Sequence, residues 1–427
     1  MAMDATLLDP FSPQALADPY PVYRRLREQS PVHPVAPGRW IVSRHADVLA
    51  LLRDPRCAHW GHAPELDALR SPHERALAQA LRLFAPSDPP GALRRQMSAV
   101  FNTQVLERMP QRLAPLADRL LDGLGGHGGG GGLDGLDGLD GLGEGRSRDV
   151  LAAYAHPLTM QAVGDMLGLS DAQTLALAQA MGGLDGSLFE GLRGAGIAAP
   201  ASGPVARLQA CMDALIDQAQ DRPDALISGL RAAVDAQGPA ADRRDRLLNA
   251  LLVLVYAGHH NMLNFIGNGL LALAMHPQAQ ARLRQEPALA DRAMLELLRH
   301  DSPLQYIVLV ASEPLALHGR EIARGDEVLV CTGSANRDET VFEDPDGLDF
   351  ARANPMDSLS FGSGAWRCIG ARLALRIGAT AFSKIVARGF ALPANMPALR
   401  RVRGPLVQRG LAALPLMLLS QEEGRHG

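Results

Sequence analysis

The sequence predicts a mainly α-helical fold with a few small β-sheets, on the basis of its composition and its hydrophobic spacing. Hydrophobic residues make up 47% of the 427 positions but aromatic residues only 4%, so Leu, Ala and Val build the core. Leu and Ala favour helices. Stretches with apolar residues at helical spacing are long, whereas the strand-like stretches are short. We therefore expect a large protein with an extensive helical core.

Six stretches predict helices. Apolar residues recur every three or four positions in residues 105–121, 156–166, 205–219, 226–236 and 246–275. The fifth stretch is long enough to cross a whole domain, and His276-Pro277 ends it. A sixth helix is expected from Ala371 onward, directly after a glycine-rich loop.

Three short stretches predict strands, in residues 40–42, 307–311 and 327–330, which are rich in β-branched side chains. Gly325-Asp326 predicts a turn before the last of them. Small sheets beside a helical core follow from this pattern.

Residues 123–145 form a glycine tract followed by Leu-Asp-Gly repeats. Ordering so many glycines is entropically costly, and the tract buries little apolar surface. The repeated aspartates could suggest a calcium site, but calcium-binding repeats are longer and supply more oxygen ligands. We predict a low-complexity surface loop that is mobile and dispensable.

Charge and cysteine spacing exclude several classes of protein. The net charge is −4 and no basic stripe dominates the chain, which argues against a nucleic-acid partner. The four cysteines are widely scattered and show neither metal-finger nor disulfide-framework spacing, which fits a reducing cytoplasm. They are Cys57, Cys211, Cys331 and Cys368.

A membrane anchor is not expected. The N-terminus lacks both a basic start and an apolar segment of sufficient length for a signal peptide. Polar residues interrupt the longest apolar stretch, residues 247–275, more often than a membrane span would tolerate. These residues are His259, His260, Asn261, Asn264 and Asn268. We predict a cytoplasmic protein without membrane contact.

The most informative segment is the cysteine loop, residues 361–370, which reads Phe-Gly-Ser-Gly-Ala-Trp-Arg-Cys-Ile-Gly. Glycines let a backbone approach a flat cofactor, and a cysteine beside a helix N-terminus is readily held as thiolate. An isolated cysteine of this kind could equally be a buried structural residue. However, Phe361, Gly364, Cys368 and Gly370 together resemble the haem loop of the cytochrome P-450 family. The resemblance implies that Cys368 is the axial ligand of the haem iron and that Phe361 packs near its sulfur.

Further motifs extend the resemblance over nearly the whole chain. Glu296 and Arg299 lie at i and i+3 on one predicted helix, a pattern that by itself is more typical of a solvated surface pair. The resemblance instead makes them a structural set that Arg352 joins behind the cysteine loop. The remaining matching segments are residues 18–23, 40–44, 257–261 and 335–338.

The resemblance implies a single cytochrome P-450 domain over residues 1–427, with the glycine-rich loop inserted in it. It implies a helical bundle around haem b (iron protoporphyrin IX) and a haem-thiolate monooxygenase. The expected substrate is a small, largely apolar organic molecule of specialised metabolism. The other expected partners are O2 and a ferredoxin-type electron donor, and we expect the protein to be a monomer.

The expected donors to the haem propionates depart from the family pattern. Trp366 stands where the family usually has His or Arg, and Leu309 stands where it often has Arg. Residues 88–95 resemble the entry to a haem-contacting helix but lack the usual His. An indole N–H donates one hydrogen bond without charge. Arg94 and Arg95 are therefore candidates to compensate, with solvated surface arginines as the alternative.

The oxygen-binding side departs as well. Ala257-Gly258 match the family, but His260 and Asn261 replace the acid and the threonine that usually follow. His260 could relay protons, and Asn261 could order a water or bind a substrate group. His259 is expected to be a packing or capping residue. A metal site at the paired histidines is disfavoured because helix neighbours point about 100° apart.

These departures leave two classes of function open. The first is a monooxygenase that receives electrons from another chain. The second is a haem protein of the same fold with altered oxygen activation: a peroxide-using enzyme, a dehydratase or isomerase, or a haem- or ligand-binding protein without catalysis.

Overall fold

A computed structural model describes residues 8–59, 104–125, 147–181, 204–218, 226–235, 243–364, 367–396, 398–401 and 408–419, and helices make up most of these described residues. They are α1 (Pro13–Ala17), α2 (Tyr20–Gln29), α3 (His45–Arg53), α4 (Gln104–Gly125), α5 (His156–Leu167), α6 (Asp171–Met181), α7 (Pro204–Gln218), α8 (Leu226–Asp235), α9 (Arg243–Met275), α10 (Pro277–Gln285), α11 (Ala290–His300), α12 (Thr332–Ala335) and α13 (Ala371–Arg388). A π-helical turn, Leu151–Ala155, leads into α5.

The strands form small sheets beside the helices. They are β1 (Val32–Ala36), β2 (Arg39–Val42), β3 (Cys57–His59), β4 (Arg148–Asp149), β5 (Ile307–Ala311), β6 (Leu315–Leu317), β7 (Arg320–Ile322), β8 (Glu327–Val330), β9 (Phe390–Ala391) and β10 (Pro415–Leu418). The largest sheet has the order β1-β2-β8-β5-β3 and is antiparallel except for the β2–β8 pair. A three-stranded sheet has the order β4-β10-β9, and β6 pairs with β7.

The predicted elements are confirmed where the structure describes them. The strands at residues 307–311 and 327–330 have the expected bounds, and residues 40–42 lie in β2. The helices differ from expectation by a few terminal residues, and residue 219 lies outside the described part. The predicted loop at residues 123–145 begins too early, because α4 continues through Gly125 and Leu124 packs against the core. Its remaining residues lie outside those described.

The central helix α9 has 33 residues and crosses α13 at very short range. A Cβ added to Gly269 would lie 2.5 Å from Phe382 Cζ, and one added to Gly378 would lie 2.7 Å from Phe265 Cε1. Both glycines therefore allow a phenyl ring to contact the opposite backbone. Residue 265 meets residue 378 and residue 269 meets residue 382, so the two helices run in the same direction at the crossing.

None of the helices within the described ranges is both long and apolar enough to cross a bilayer. The long helix α9 contains buried polar residues, among them His259, Asn264 and Asn268, which contact other parts of the protein.

We predict that Gly378→Ala lowers the free energy of unfolding by about 1–3 kcal/mol, because the new methyl group overlaps the Phe265 ring. Gly123→Ala is the matched control. Nothing lies within 4 Å of a Cβ at Gly123, and alanine in a helix is favoured by about 0.5–1 kcal/mol over glycine. Urea unfolding curves measure both. Equal stability of the two variants would contradict the close crossing.

Candidate active site

The cysteine loop is closed on itself and packed against the end of α3. The backbone N–H of Cys368 donates to the Phe361 carbonyl over 2.8 Å. Gly364 has a φ of +60°, and a Cβ there would also lie 3.3 Å from the Leu52 carbonyl oxygen. Arg53 Nε donates to Ser363 Oγ over 3.1 Å. The left-handed backbone and the close approach both explain the glycine at position 364.

Cys368 is the exposed thiol among the four cysteines, and it lies three residues before the start of α13. Burial raises the pKa of Cys57 to about 11 and that of Cys331 to about 12, so both stay protonated at neutral pH. Cys211 is half-buried, and burial raises its pKa as well. The alternative interpretation of Cys368 as a buried structural residue is therefore wrong.

Glu296 is buried between two guanidinium groups. Arg299 Nη2 and Nε lie 2.7 and 2.8 Å from its carboxylate oxygens, and Arg352 Nε and Nη2 lie 3.1 Å from them. Burial alone would raise the pKa of Glu296, but the hydrogen bonds and charges of Arg299 and Arg352 lower it below its usual value. The solvated surface pair suggested by the isolated pattern is wrong, since Glu296 and Arg299 are each 1% exposed.

The same guanidinium groups bind the backbone that precedes the cysteine loop. Arg299 Nη1 donates to the carbonyls of Pro345 and Asn336 over 2.8 and 3.0 Å, and Nη2 donates to the Gly347 carbonyl over 2.9 Å. Arg352 Nη2 donates to the Asp344 carbonyl over 3.3 Å. The arginines thus use their remaining donors to fix residues 336–347.

Asn336 connects this set to the cysteine loop. Its side chain is fully buried, and Nδ2 donates to Ser302 Oγ and Ser360 Oγ over 2.9 and 2.8 Å. Its Oδ1 accepts from the Leu359 backbone N–H over 2.7 Å and from Ser358 Oγ over 3.4 Å. Sequence analysis placed Asn336 in a matching segment but gave its side chain no role, because its partners lie more than 20 residues away.

The middle of α9 carries an accessible strip in an otherwise buried stretch. We define the α9 strip as Ala257, which is exposed, with Gly258 and Asn261, which are half-buried. Residues 257 and 261 are one helical turn apart and share a face. His260 is 8% exposed, and its ring centroid lies 4.5 Å from that of Tyr256.

His259 points into the packing between α9 and α5. Its Nδ1 lies 2.8 Å from Thr159 Oγ1, and its Nε2 lies 3.2 Å from His156 Nδ1. Burial, and then the neighbouring histidines His156 and His260, hold the pKa of His259 well below its usual value. His259 is therefore a packing residue, as expected, while the capping alternative is wrong because the residue lies in mid-helix. In the part of the chain that is described, no group of three or more possible ligands could hold a metal ion.

The cysteine loop and the α9 strip lie on the same side of the α9–α13 crossing. Asn261 precedes Phe265 by about 6 Å along α9, and Ala371 precedes Gly378 by about 10 Å along α13. Because the helices run in the same direction at the crossing, both N-terminal portions extend to one side of it. Cys368 lies three residues before the start of α13 and therefore on that side.

The positions at which the family usually supplies propionate donors are only partly within the described residues. Leu309 is fully buried in β5, opposite His59 of β3. Trp366, Arg94 and Arg95 lie outside the described part of the chain, so their roles stay predictions.

Comparison with known proteins identifies the family. The cytochrome P-450 family model matches residues 208–388. The cytochrome P-450 monooxygenase PikC of Streptomyces venezuelae is 30% identical over 94% of this chain and 91% of its own length. The chain belongs to the cytochrome P-450 family. The vitamin D(3) 25-hydroxylase of Pseudonocardia autotrophica is 29% identical over 96% of each chain. A solved structure of an EryK mutant with erythromycin B superposes with a TM-score of 0.75 at 26% identity, covering 97% and 98% of the two chains.

As a cytochrome P-450, the protein is a monooxygenase, and its family works with a haem-thiolate cofactor, dioxygen, a redox partner and a small-molecule substrate. The described residues fit that cofactor. Cys368 offers an exposed sulfur, and a Cβ at Gly370 would lie 3.9 Å from this sulfur, with no other atom of the described residues within 4 Å. On the other side, the small residues Ala257 and Gly258 leave the α9 strip accessible.

We predict that Glu296→Gln lowers the free energy of unfolding by about 3–5 kcal/mol, because Arg299 and Arg352 then stay buried without a counter-charge. The control is Glu286→Gln, which removes an exposed pair with Arg282 and should change stability by less than about 1 kcal/mol. Urea unfolding measures both variants. A loss at Glu296 no larger than at Glu286 would contradict the assignment.

Proposed function

We propose that Cys368 is the axial ligand of haem b, which lies between the cysteine loop and the α9 strip. The exposed thiol at the start of α13, on the same side of the helix crossing as the strip, carries this proposal. When bound through a thiolate, such a haem activates dioxygen for insertion of one oxygen atom into a substrate. Phe361 packs beside the sulfur, and Gly364 and Gly370 let the loop backbone approach the cofactor.

In this proposal Glu296, Arg299 and Arg352 do not contact the cofactor. They influence it by positioning the backbone that leads into the cysteine loop. They hold residues 336–347, and Asn336 passes this restraint to residues 358–360. The backbone bond from Cys368 to Phe361 then fixes the sulfur in the loop. Their role is structural rather than chemical.

The proposed substrate is a small, largely apolar organic molecule of specialised metabolism. The α9 strip that would face it presents a methyl group and a glycine, with Asn261 as its polar member. Two relatives act on or bind organic molecules: one is a vitamin D(3) 25-hydroxylase, and the other is an EryK mutant solved with erythromycin B. The protein is proposed to oxidise its substrate by hydroxylation or a similar insertion of oxygen.

A ferredoxin-type protein is the proposed electron donor. Arg367, Arg372 and Arg376 are exposed around Cys368, and the last two share one face of α13 at i and i+4. A cationic surface of this kind is complementary to a small acidic redox protein, and the attraction should weaken as salt is added.

We also propose that the chain is one domain and works as a monomer in the cytoplasm. The close crossing of α9 and α13 joins sequence regions more than 100 residues apart in one core. None of the cysteines is in a disulfide, which fits a reducing compartment.

His260 and Asn261 are the proposed proton-delivery residues. An imidazole can both accept and donate a proton, whereas an amide can only hold a water or a substrate group in place. His259 cannot assist, because Thr159 and His156 occupy both of its ring nitrogens. Of the two neighbouring histidines of α9, His260 is therefore the one proposed to pass a proton to the α9 strip.

The replacement of acid and threonine by His260 and Asn261 also favours one alternative, an enzyme that uses peroxide in place of dioxygen and electrons. Isotopically labelled dioxygen separates the two. A monooxygenase driven by NADH and surrogate redox proteins incorporates one labelled oxygen atom into product. A peroxide user gives unlabelled product with unlabelled hydrogen peroxide and needs no NADH.

We predict that Cys368→Ala abolishes the thiolate-type absorption of the reduced, carbon monoxide-bound protein, because no other cysteine is placed to replace its sulfur. Cys211→Ala, at a half-buried cysteine on α7, is the matched control and should keep that absorption. A Cys368→Ala protein that retains the thiolate-type spectrum would refute the ligand assignment.

We predict that His260→Ala slows product formation by up to roughly 100-fold or diverts NADH into hydrogen peroxide, with substrate binding near normal, because the relay imidazole is lost. His260→Glu combined with Asn261→Thr restores the family pattern and should keep or improve coupling. The measurement is peroxide released per NADH consumed, with His33→Ala in β1 as the control. Equal coupling in His260→Ala and the parent would show that His260 only shapes the pocket.

A further inference from the structure

A glutamine from the C-terminal segment bridges two residues of α9. Tyr256 Oη donates to Gln408 Oε1 over 2.9 Å, and Gln408 Nε2 donates to Asn261 Oδ1 over 3.2 Å. Tyr256 and Asn261 are five residues apart on α9, and both point to the side from which Gln408 approaches. Gln408 comes from a segment about 150 residues further along the chain.

Residues 409 and 410 hold Gln408 against α9. Arg409 Nε lies 2.8 Å from Asp301 Oδ1, and both side chains are buried. The Arg409 carbonyl accepts from Asn268 Nδ2 over 2.9 Å. A Cβ at Gly410 would lie 2.0 Å from Asn264 Oδ1, so only glycine allows this approach. The amide of Gln408 therefore has a fixed position along the helix.

The direction of these hydrogen bonds decides which atoms Asn261 can offer to a bound molecule. Its carbonyl oxygen is occupied by Gln408 Nε2. No acceptor among the described residues binds its Nδ2, and the side chain is half-buried on the face that it shares with exposed Ala257. Asn261 thus presents two N–H donors, where a carboxylate or a second carbonyl would present acceptors.

We propose that Gln408 is a positioning residue that fixes Asn261 as a hydrogen-bond donor, and that the pair selects substrates with an oxygen acceptor such as a carbonyl or hydroxyl group. The proposal rests on the proposed function, because it takes the α9 strip as a wall of the substrate site. An N–H donor of the protein favours a ligand that places an oxygen acceptor opposite it over a ligand of the same shape without that acceptor. The second ligand covers the N–H and leaves it unpaired.

Acetophenone and α-methylstyrene are suitable probes, since they differ by C=O against C=CH2 at nearly equal shape. The haem-loaded protein is titrated with each, and the two dissociation constants are read from the optical shift. We expect the ratio of the constants to favour acetophenone about three- to tenfold more in the parent than in Asn261→Leu. Gln408→Leu should lose most of this preference, because the Asn261 amide can then rotate.

Gln408→Glu separates positioning from packing. A carboxylate oxygen at residue 408 attracts the NH2 group of Asn261, so the Asn261 carbonyl turns toward the ligand. The preference for acetophenone should then fall below that of Gln408→Leu.

The C–O stretching band of the carbon monoxide adduct gives a second readout. It should shift or broaden in the Gln408 variants, as it does in Asn261→Leu, because the N–H donors no longer hold one orientation. Gln173→Leu is the matched control, since it removes a half-buried amide on α6, far along the chain from Gln408, whose partners among the described residues are the Ser170 backbone N–H and Gln218.

The outcomes are distinct. An unchanged ligand ratio and carbon monoxide band in Asn261→Leu would overturn the donor role of Asn261. If Asn261→Leu loses the preference but both Gln408 variants keep it, Gln408 is not a positioning residue. A parent protein without a thiolate-type carbon monoxide spectrum would refute the proposed function itself, before the probes are compared.

Discussion

A carboxylate that is 1% exposed and held between two guanidinium groups ties separate stretches of this chain together. A carboxylate or a guanidinium group alone is costly to bury in the protein interior. Glu296, Arg299 and Arg352 therefore stay buried only as a set. The guanidinium groups have further N–H donors beside those that bond Glu296, and these bind backbone carbonyls of residues 336–347. Through Asn336 the restraint reaches residues 358–360, and the cysteine loop follows directly. The position of the sulfur in Cys368 thus depends on a carboxylate 72 residues earlier in the chain.

The opposite wall of the proposed haem site depends on a different constraint, the crossing of α9 and α13. Gly269 and Gly378 let the two helices approach until each backbone touches a phenyl ring of the other. Because both helices continue from this crossing to the same side, the α9 strip and the cysteine loop belong to one rigid frame. The segment with Gln408 is fixed to α9 as well, so the polar atoms of the strip are set by packing and not by the strip residues alone.

Sequence patterns predicted the helices, three of the strands and the set Glu296–Arg299–Arg352, because each rests on local spacing or on a family motif. Burial was harder to predict: Glu296 and Arg299 looked like a surface pair in isolation, and only the structure shows them enclosed. The bonding of Asn336 and Gln408 has no local signal, since their partners lie at least 22 and up to 152 residues away. The end of α4 was placed too early because the glycines at 123 and 125 are poor helix formers that the neighbouring core contacts of Leu124 outweigh.

The most direct test of this account is the variant Asn336→Ala in the haem-loaded protein, compared with Asn395→Ala at an exposed position. Both are reduced, bound to carbon monoxide and titrated with urea, and the thiolate-type absorption is followed as it converts to the thiol type. If buried hydrogen bonds from Asn336 hold the cysteine loop, Asn336→Ala converts at a clearly lower urea concentration than the parent, while Asn395→Ala does not. A conversion midpoint for Asn336→Ala equal to that of the parent would contradict the account.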